Sequence, residues 1–171
     1  DRMHASARLG AACTRAQLTE AQRAWLRDLP LSVRAEDRLY VHANAHAPAA
    51  WGYVNSRLAA THSLAATDAW LTFCGHEHAP ALYHAQAGQA ACFTPQPGFA
   101  MPLAPARRWL AIPGACGQPR DGNPAAACAL LDTRARSLTF LRVPYDHDAV
   151  AARILAAGLP AELARRLAGG Q

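Results

Sequence analysis

Trp70-Leu71-Thr72-Phe73-Cys74-Gly75-His76-Glu77-His78-Ala79-Pro80 is the stretch on which the reading of the fold turns. Trp70 to Cys74 is a short apolar, β-prone run, and such a run bounded by a glycine reads as a buried strand. The glycine lets the backbone turn tightly where the strand stops. His76 and His78 follow at once. An isolated His-x-His is an ordinary surface pair more often than not, but this one stands at the carboxyl end of a strand, where ligand sites gather in open α/β sheets. In an extended segment the two imidazoles would share one side, about 6.6 Å apart at ~3.3 Å per residue, with Glu77 directed elsewhere. That spacing suits two neighbouring metal ions as well as it suits one zinc.

Working outward toward the amino terminus, Leu39-Tyr40-Val41 repeats the arrangement: a charged turn (Arg34, Glu36, Asp37, Arg38), a short β-prone run, then His42. His42, His76 and His78 are therefore the candidate metal ligands. His46 stands in the loop before Ala47-Pro48 and is a weaker fourth candidate. His4, His62, His84 and His147 have no comparable setting and are expected to be solvated. Cys74 and Cys116 flank the candidate loops but need no function as small hydrophobes.

The remaining pattern alternates strands and helices. A short amphipathic helix is expected from Leu18 through Trp25 and Leu29 to the stop at Pro30, and a second from Pro48 to about Ala66, with Trp51, Val54 and Leu58 on one face. Ala81 to Thr94 reads as a hairpin about Ala87-Gly88. Thr94 to Pro105 carries four prolines and reads as an irregular loop, a candidate lid. Trp109–Ile112, Ala127–Leu131 and Leu138–Val143 read as strands, and 146–157 and 161–167 as helices separated by Gly158.

Composition narrows the function classes. The chain has 171 residues, 51% of them hydrophobic, enough for one domain with a buried core. No apolar run reaches the ~18 residues of a membrane span, and no signal-like amino terminus is present. The net charge is +5 and every basic residue is arginine. These arginines are dispersed, which argues against nucleic-acid binding and for a general preference for anions. Five cysteines, an odd and widely spaced set without a C-x-x-C, argue against a disulfide framework and a structural zinc site, and fit a reducing cytoplasm.

Taken in order, Val41-His42, Gly75-His76-Glu77-His78-Ala79-Pro80 and Pro113-Gly114-Ala115-Cys116-Gly117-Gln118-Pro119-Arg120-Asp121-Gly122 resemble the carboxyl half of the calcineurin-like metallophosphoesterases, in particular their compact bacterial subgroup. The tail, Arg142-Val143-Pro144-Tyr145-Asp146 with Ala156-Ala157-Gly158-Leu159-Pro160 and Arg165-Arg166-Leu167, is similar too. The resemblance runs from about residue 14 to the end. It implies an α/β fold layered α-β-β-α, of which residues 1–171 supply the carboxyl-terminal portion of a single domain. It also implies two divalent metal ions, manganese foremost with zinc, iron or magnesium as alternatives. His42 and His76 would hold one and His78 the other, with a metal-bridging hydroxide attacking a phosphoester. Arg120 and Asn44 are the expected substrate-binding residues, and the substrate a small phosphoester or a phosphoprotein. Glu77, Ala115 and Ile112 stand where the family carries Thr, Ser and Asn. Its Asp-x-His, Gly-Asp and Gly-Asn-His-Asp motifs are absent, unless Asp1 ends the last of them. Two other readings follow from that absence: a mononuclear zinc hydrolase using His42, His76 and His78, and a binding module that keeps the fold without a competent centre.

Overall fold

The short apolar runs of the sequence pair into two sheets in the computed structural model, which describes residues 4–171. Asp1 lies outside them. The larger sheet contains β1 (Ser32–Ala35), β2 (Arg38–Val41), β3 (Leu71–Cys74), β4 (Ala81–Gln86), β5 (Gln89–Phe93) and β7 (Trp109–Ile112), in the order β1-β2-β3-β7-β4-β5. The smaller contains β6 (Ala100–Pro102), β8 (Ala126–Asp132) and β9 (Ser137–Val143), with β9 central. The helices are α1 (Ala5–Gln17), α2 (Glu20–Arg27), α3 (Arg57–Ala65), α4 (His147–Ala156) and α5 (Ala161–Gly169).

The three central strands, β2, β3 and β7, run parallel, with Val41 paired to Cys74 and Phe73 to Ala111. Their carboxyl ends are therefore level, and the loops beginning at His42, Gly75 and Pro113 leave the sheet side by side. β4 runs antiparallel to β7, with Ala81 opposite Ile112. The 75–80 loop must accordingly cross over the end of β7 to reach it. That crossing brings the two longest motifs of the sequence together.

Side chains alternate across this sheet as the period of two requires. Leu110, Ile112, Cys74 and Val41 pack with Ala60 and Leu64 of α3 on one face. Leu71, Trp109, Ala111 and Leu82 pack on the other against Leu138 and Phe140 of β9 and Leu103. The layering is helix, sheet, sheet, and the fold is α/β as expected. Leu71, Leu82, Leu110 and Ile112 are completely buried, each stabilising the fold by about 1.5–3 kcal/mol. α2 starts at a capping box, Thr19 and Gln22 each satisfying the other's backbone N–H.

Three expectations change. The helix foreseen over 48–66 is a single turn at Pro48–Ala50, an extended segment, and then α3 opened by Ser56. Trp51, Val54 and Leu58 share no face: Val54 is buried, whereas Trp51 and Leu58 are exposed. The 94–105 segment is not a free lid, because β6 pairs with β9 and Leu103 is buried in the core. α1 and β1 had no expectation at all. His84, expected in solvent, is half-buried with its ring edge-on to Trp109.

Candidate metal centre

His42 and His76 converge above the carboxyl ends of β2 and β3, with His42 Nε2 3.3 Å from His76 Nδ1. Two imidazole nitrogens on one tetrahedral zinc, each about 2.0–2.1 Å from the ion, lie roughly 3.3–3.4 Å apart. The pair thus stands at the spacing of two ligands to a shared ion. The backbone fixes it: the Gly75 N–H donates to the His42 carbonyl at 2.8 Å, tying the two loops at their roots.

The 75–78 segment is not extended, so the two histidines do not face one side in the manner of a strand. His76 is left-handed, φ 64°, and the Glu77 N–H donates back to the Gly75 carbonyl at 2.7 Å, closing a γ-turn about the histidine. A bulky residue there costs of order 1–3 kcal/mol, a strain found mainly at functional sites. Gly75 itself is not left-handed. The turn that the glycine was expected to make falls one residue later. Glu77 folds its carboxylate onto the His78 N–H at 3.1 Å.

His78 is oriented by a different loop. Its Nδ1 lies 2.7 Å from the Gln118 carbonyl. A carbonyl only accepts, so Nδ1 carries a proton, and the tautomer this selects is the one whose lone pair is on Nε2. This is the outer-shell device by which metal-binding histidines are held in one tautomer. Burial, followed by the neighbouring His78, lowers the pKa of His42; burial, followed by His42, lowers that of His76. Both rings are therefore neutral at neutral pH, the form that ligates.

Among the described residues no group of three or more His, Cys, Asp and Glu side chains is placed to hold a metal. His42 and His76 form a close pair, and His78 stands near enough to act electrostatically on both. The donors fit the nitrogen side of a two-ion centre; the oxygen ligands that manganese or magnesium takes are not supplied by the described residues. Cys74 is buried and its thiol is pushed up to about 12 by burial. His46 turns away, its ring edge-on to His62.

Asn44 and Arg120, the expected substrate-binding residues, sit in different surroundings. Asn44 is 1% exposed. It donates to the Gly52 carbonyl and accepts from the Ala47 N–H, both at 2.8 Å, so it clamps the 44–52 loop. Arg120 is exposed and donates to Gln118 Oε1 at 3.0 Å. Asp121 pairs with Arg142 of β9 instead.

The sequence reading missed two aromatic residues. Trp51, left-handed at φ 56°, sits 4.9 Å from the His42 ring and 5.8 Å from His76. Tyr53 stacks flat on His76, centroids 4.0 Å apart. A groove of about 760 Å³ opens beside them, lined by His42, Trp51, Gly75, Tyr40 and Phe73, with Arg27 the one charged residue among the described residues that line it. Trp51-Gly52-Tyr53 carried no signal of its own, since its place over the histidines depends on the Asn44 clamp.

No protein-family profile and no curated protein matches the chain significantly. Solved structures do. A crystal structure of a metallophosphoesterase from Sphaerobacter thermophilus is 32% identical, superposes with a TM-score of 0.85, and covers 100% of this chain and 70% of its own. A hypothetical protein, PH1004 from Pyrococcus horikoshii OT3, is 17% identical with a TM-score of 0.63, over 91% of this chain and 57% of its own, and shares the fold. The 32% identity to the Sphaerobacter thermophilus metallophosphoesterase over the whole chain, together with histidines converging at level strand ends, places the chain in the metallophosphoesterase family.

Proposed function

We propose that the protein hydrolyses phosphoesters with two divalent metal ions, manganese foremost, and that His42 and His76 hold one ion while His78 holds the other. The observation that carries this is the 3.3 Å approach of His42 Nε2 to His76 Nδ1, the spacing of a shared ion. The Gln118 carbonyl supports it by fixing the Nε2 lone pair of His78. Bound ions would acidify a water and neutralise charge on the phosphoryl oxygens. The chain's own part is to present neutral imidazoles in fixed tautomers and, through a net charge of +5, to favour anions. We place the protein in the cytoplasm on its cysteine usage, and no helix among the described residues is long and apolar enough to cross a membrane.

The test is hydrolysis of aryl phosphate mono- and diesters by the full-length protein with added manganese, alongside metal content by elemental analysis. His76→Ala and His78→Ala should each reduce activity by at least a hundredfold, in line with the loss of a first ligand. Each should also lower the bound metal. Unchanged activity and metal content in both variants would refute the assignment.

A further inference from the structure

We infer that Trp51 is a stacking platform for the leaving group, and that the favoured phosphoester carries a planar ring, such as a nucleoside or another aryl group. The inference rests on the proposed hydrolysis at His42, His76 and His78. It deepens that reading by naming the substrate class.

The two aromatics over the histidines are not equivalent. Tyr53 lies parallel to His76 at an interplanar angle of 14°, so one of its faces is committed to holding that ring. Trp51 meets the same histidine nearly at right angles, 78°, and His42 at 52°, and remains 51% exposed. It is held outward by a left-handed backbone at φ 56°, which an L side chain adopts reluctantly. The clamp that imposes this conformation is the buried Asn44 amide, bonded to the Gly52 carbonyl and the Ala47 N–H. The molecule thus spends a strained residue and a buried amide on keeping an indole beside the pair of imidazoles.

The charge around it selects the occupant. Among the described residues no carboxylate lines the groove that Trp51 shares with His42, and Arg27 is the one charged lining residue. Phosphate at the histidines and a flat, weakly polar ring against the indole match that distribution. A second acidic group does not. Base-on-aromatic stacking tolerates any ring because each presents a π-face. In the reaction, water oxygen bonds to phosphorus, the bond from phosphorus to the leaving oxygen breaks, and that oxygen takes a proton; the ring leaves with it.

Two measurements on the full-length protein test this. In the first, adenosine 5′-monophosphate, phenyl phosphate and glycerol phosphate are titrated against tryptophan emission. On a Trp25→Phe background, which removes the other exposed indole, the two ring-bearing ligands should quench it and glycerol phosphate should not, and the quenching should vanish when Trp51→Phe is added, since Trp70 and Trp109 are buried. Quenching by adenosine 5′-monophosphate alone would narrow the ring to a nucleoside, within the inference. In the second, KM is compared for aryl and alkyl diesters. Trp51→Gly, which the left-handed backbone accommodates, should raise KM for the aryl ester at least tenfold, with the alkyl ester within twofold and Trp51→Phe intermediate. Equal losses on both esters, or quenching that persists in Trp51→Phe, would overturn the platform. If no ester is hydrolysed while Trp51-dependent quenching remains, the hydrolytic reading fails and the ring site stands.

Discussion

Substituting Gly114 by alanine should test whether the histidine loop and the Pro113-Gly114 turn are packed as one unit. Gly114 is left-handed at φ 93°, and a Cβ there would meet the Ala127 Cβ at 2.7 Å, the Pro80 Cγ at 2.9 Å and the Pro80 Cδ at 3.2 Å. Two costs add. A left-handed alanine costs about 1–2 kcal/mol, and forcing a methyl between packed atoms about 1–3 kcal/mol. Gly88, in the β4–β5 turn, supplies the control, since its φ is 81° and a Cβ there would meet nothing within 4 Å. Only the backbone cost applies to it. Both substitutions also restrict the unfolded chain, worth about 0.4–1 kcal/mol of stabilisation at each site, which cancels in the comparison. Gly114→Ala should therefore be less stable than Gly88→Ala by about 1–3 kcal/mol, read as a lower urea midpoint at unchanged m-value. Equal midpoints for the two variants would refute the claim that Pro80 and Gly114 are in packed contact.

Asn44→Ala should destabilise by about 2–3 kcal/mol, since it removes two hydrogen bonds of a buried amide and leaves the Ala47 N–H and Gly52 carbonyl without them; a loss under 0.5 kcal/mol in urea titration would show that the clamp is unimportant. Thr72→Val should instead stabilise, by about 1 kcal/mol, because the Thr72 hydroxyl is buried without a hydrogen-bond partner and valine keeps the shape; calorimetry showing a lower Tm would contradict this. The histidines carry a pH signature. Their folded-state pKa values lie below the ordinary 6.5, so as pH falls through 6.5 the unfolded chain takes up protons first and stability declines, while protons also displace metal. NMR titration of the two imidazoles should give midpoints under 6.5, and midpoints above it would reverse the sign. Finally, Cys116 is exposed and Cys74 is buried with its thiol at about 12, so a thiol reagent at pH 8 should label Cys116 in the folded protein and Cys74 only after denaturation.

Most of the sheet was legible because its strands announce themselves. Trp109–Ile112 is buried at every position, and a continuous apolar run is what a strand covered on both faces must be. β1 escaped because Ser32–Ala35 is exposed throughout and exists by pairing with β2. α1 escaped for a related reason: no residue of it is buried, so no apolar stripe marks it. The helix over 48–66 was mistaken because Trp51, Val54 and Leu58 have helical spacing by coincidence, while the buried Asn44, eight residues before Gly52, dictates the loop. In the site, position at strand ends singled out His42, His76 and His78, and the structure brings His42 to His76. The means of presenting them was not legible. The turn sits at His76 rather than Gly75, and the carbonyl on His78 comes from residue 118.

The long 113–122 motif consequently acts as scaffold at most of its positions. Gly114 packs under Pro80, and the Ala115 carbonyl accepts from the Ala127 N–H at 3.0 Å, joining the turn to β8. Gln118 sets His78, Pro119 is buried, and Asp121 is fastened to Arg142, which also donates to the Ala125 carbonyl. The Gly122 N–H donates to the Gly170 carbonyl, so the last turn of the chain secures the far end. A motif that looks like a phosphate clamp in sequence is thus mainly a strut between the smaller sheet, the carboxyl terminus and one imidazole. Its arginine is the exception. Arg120 is exposed and has no acidic partner among the described residues, and its bond to Gln118 Oε1 places it on the residue whose carbonyl orients His78. Removing its charge should weaken anion binding while leaving the His78 tautomer intact, whereas disturbing Gly114 should do the reverse.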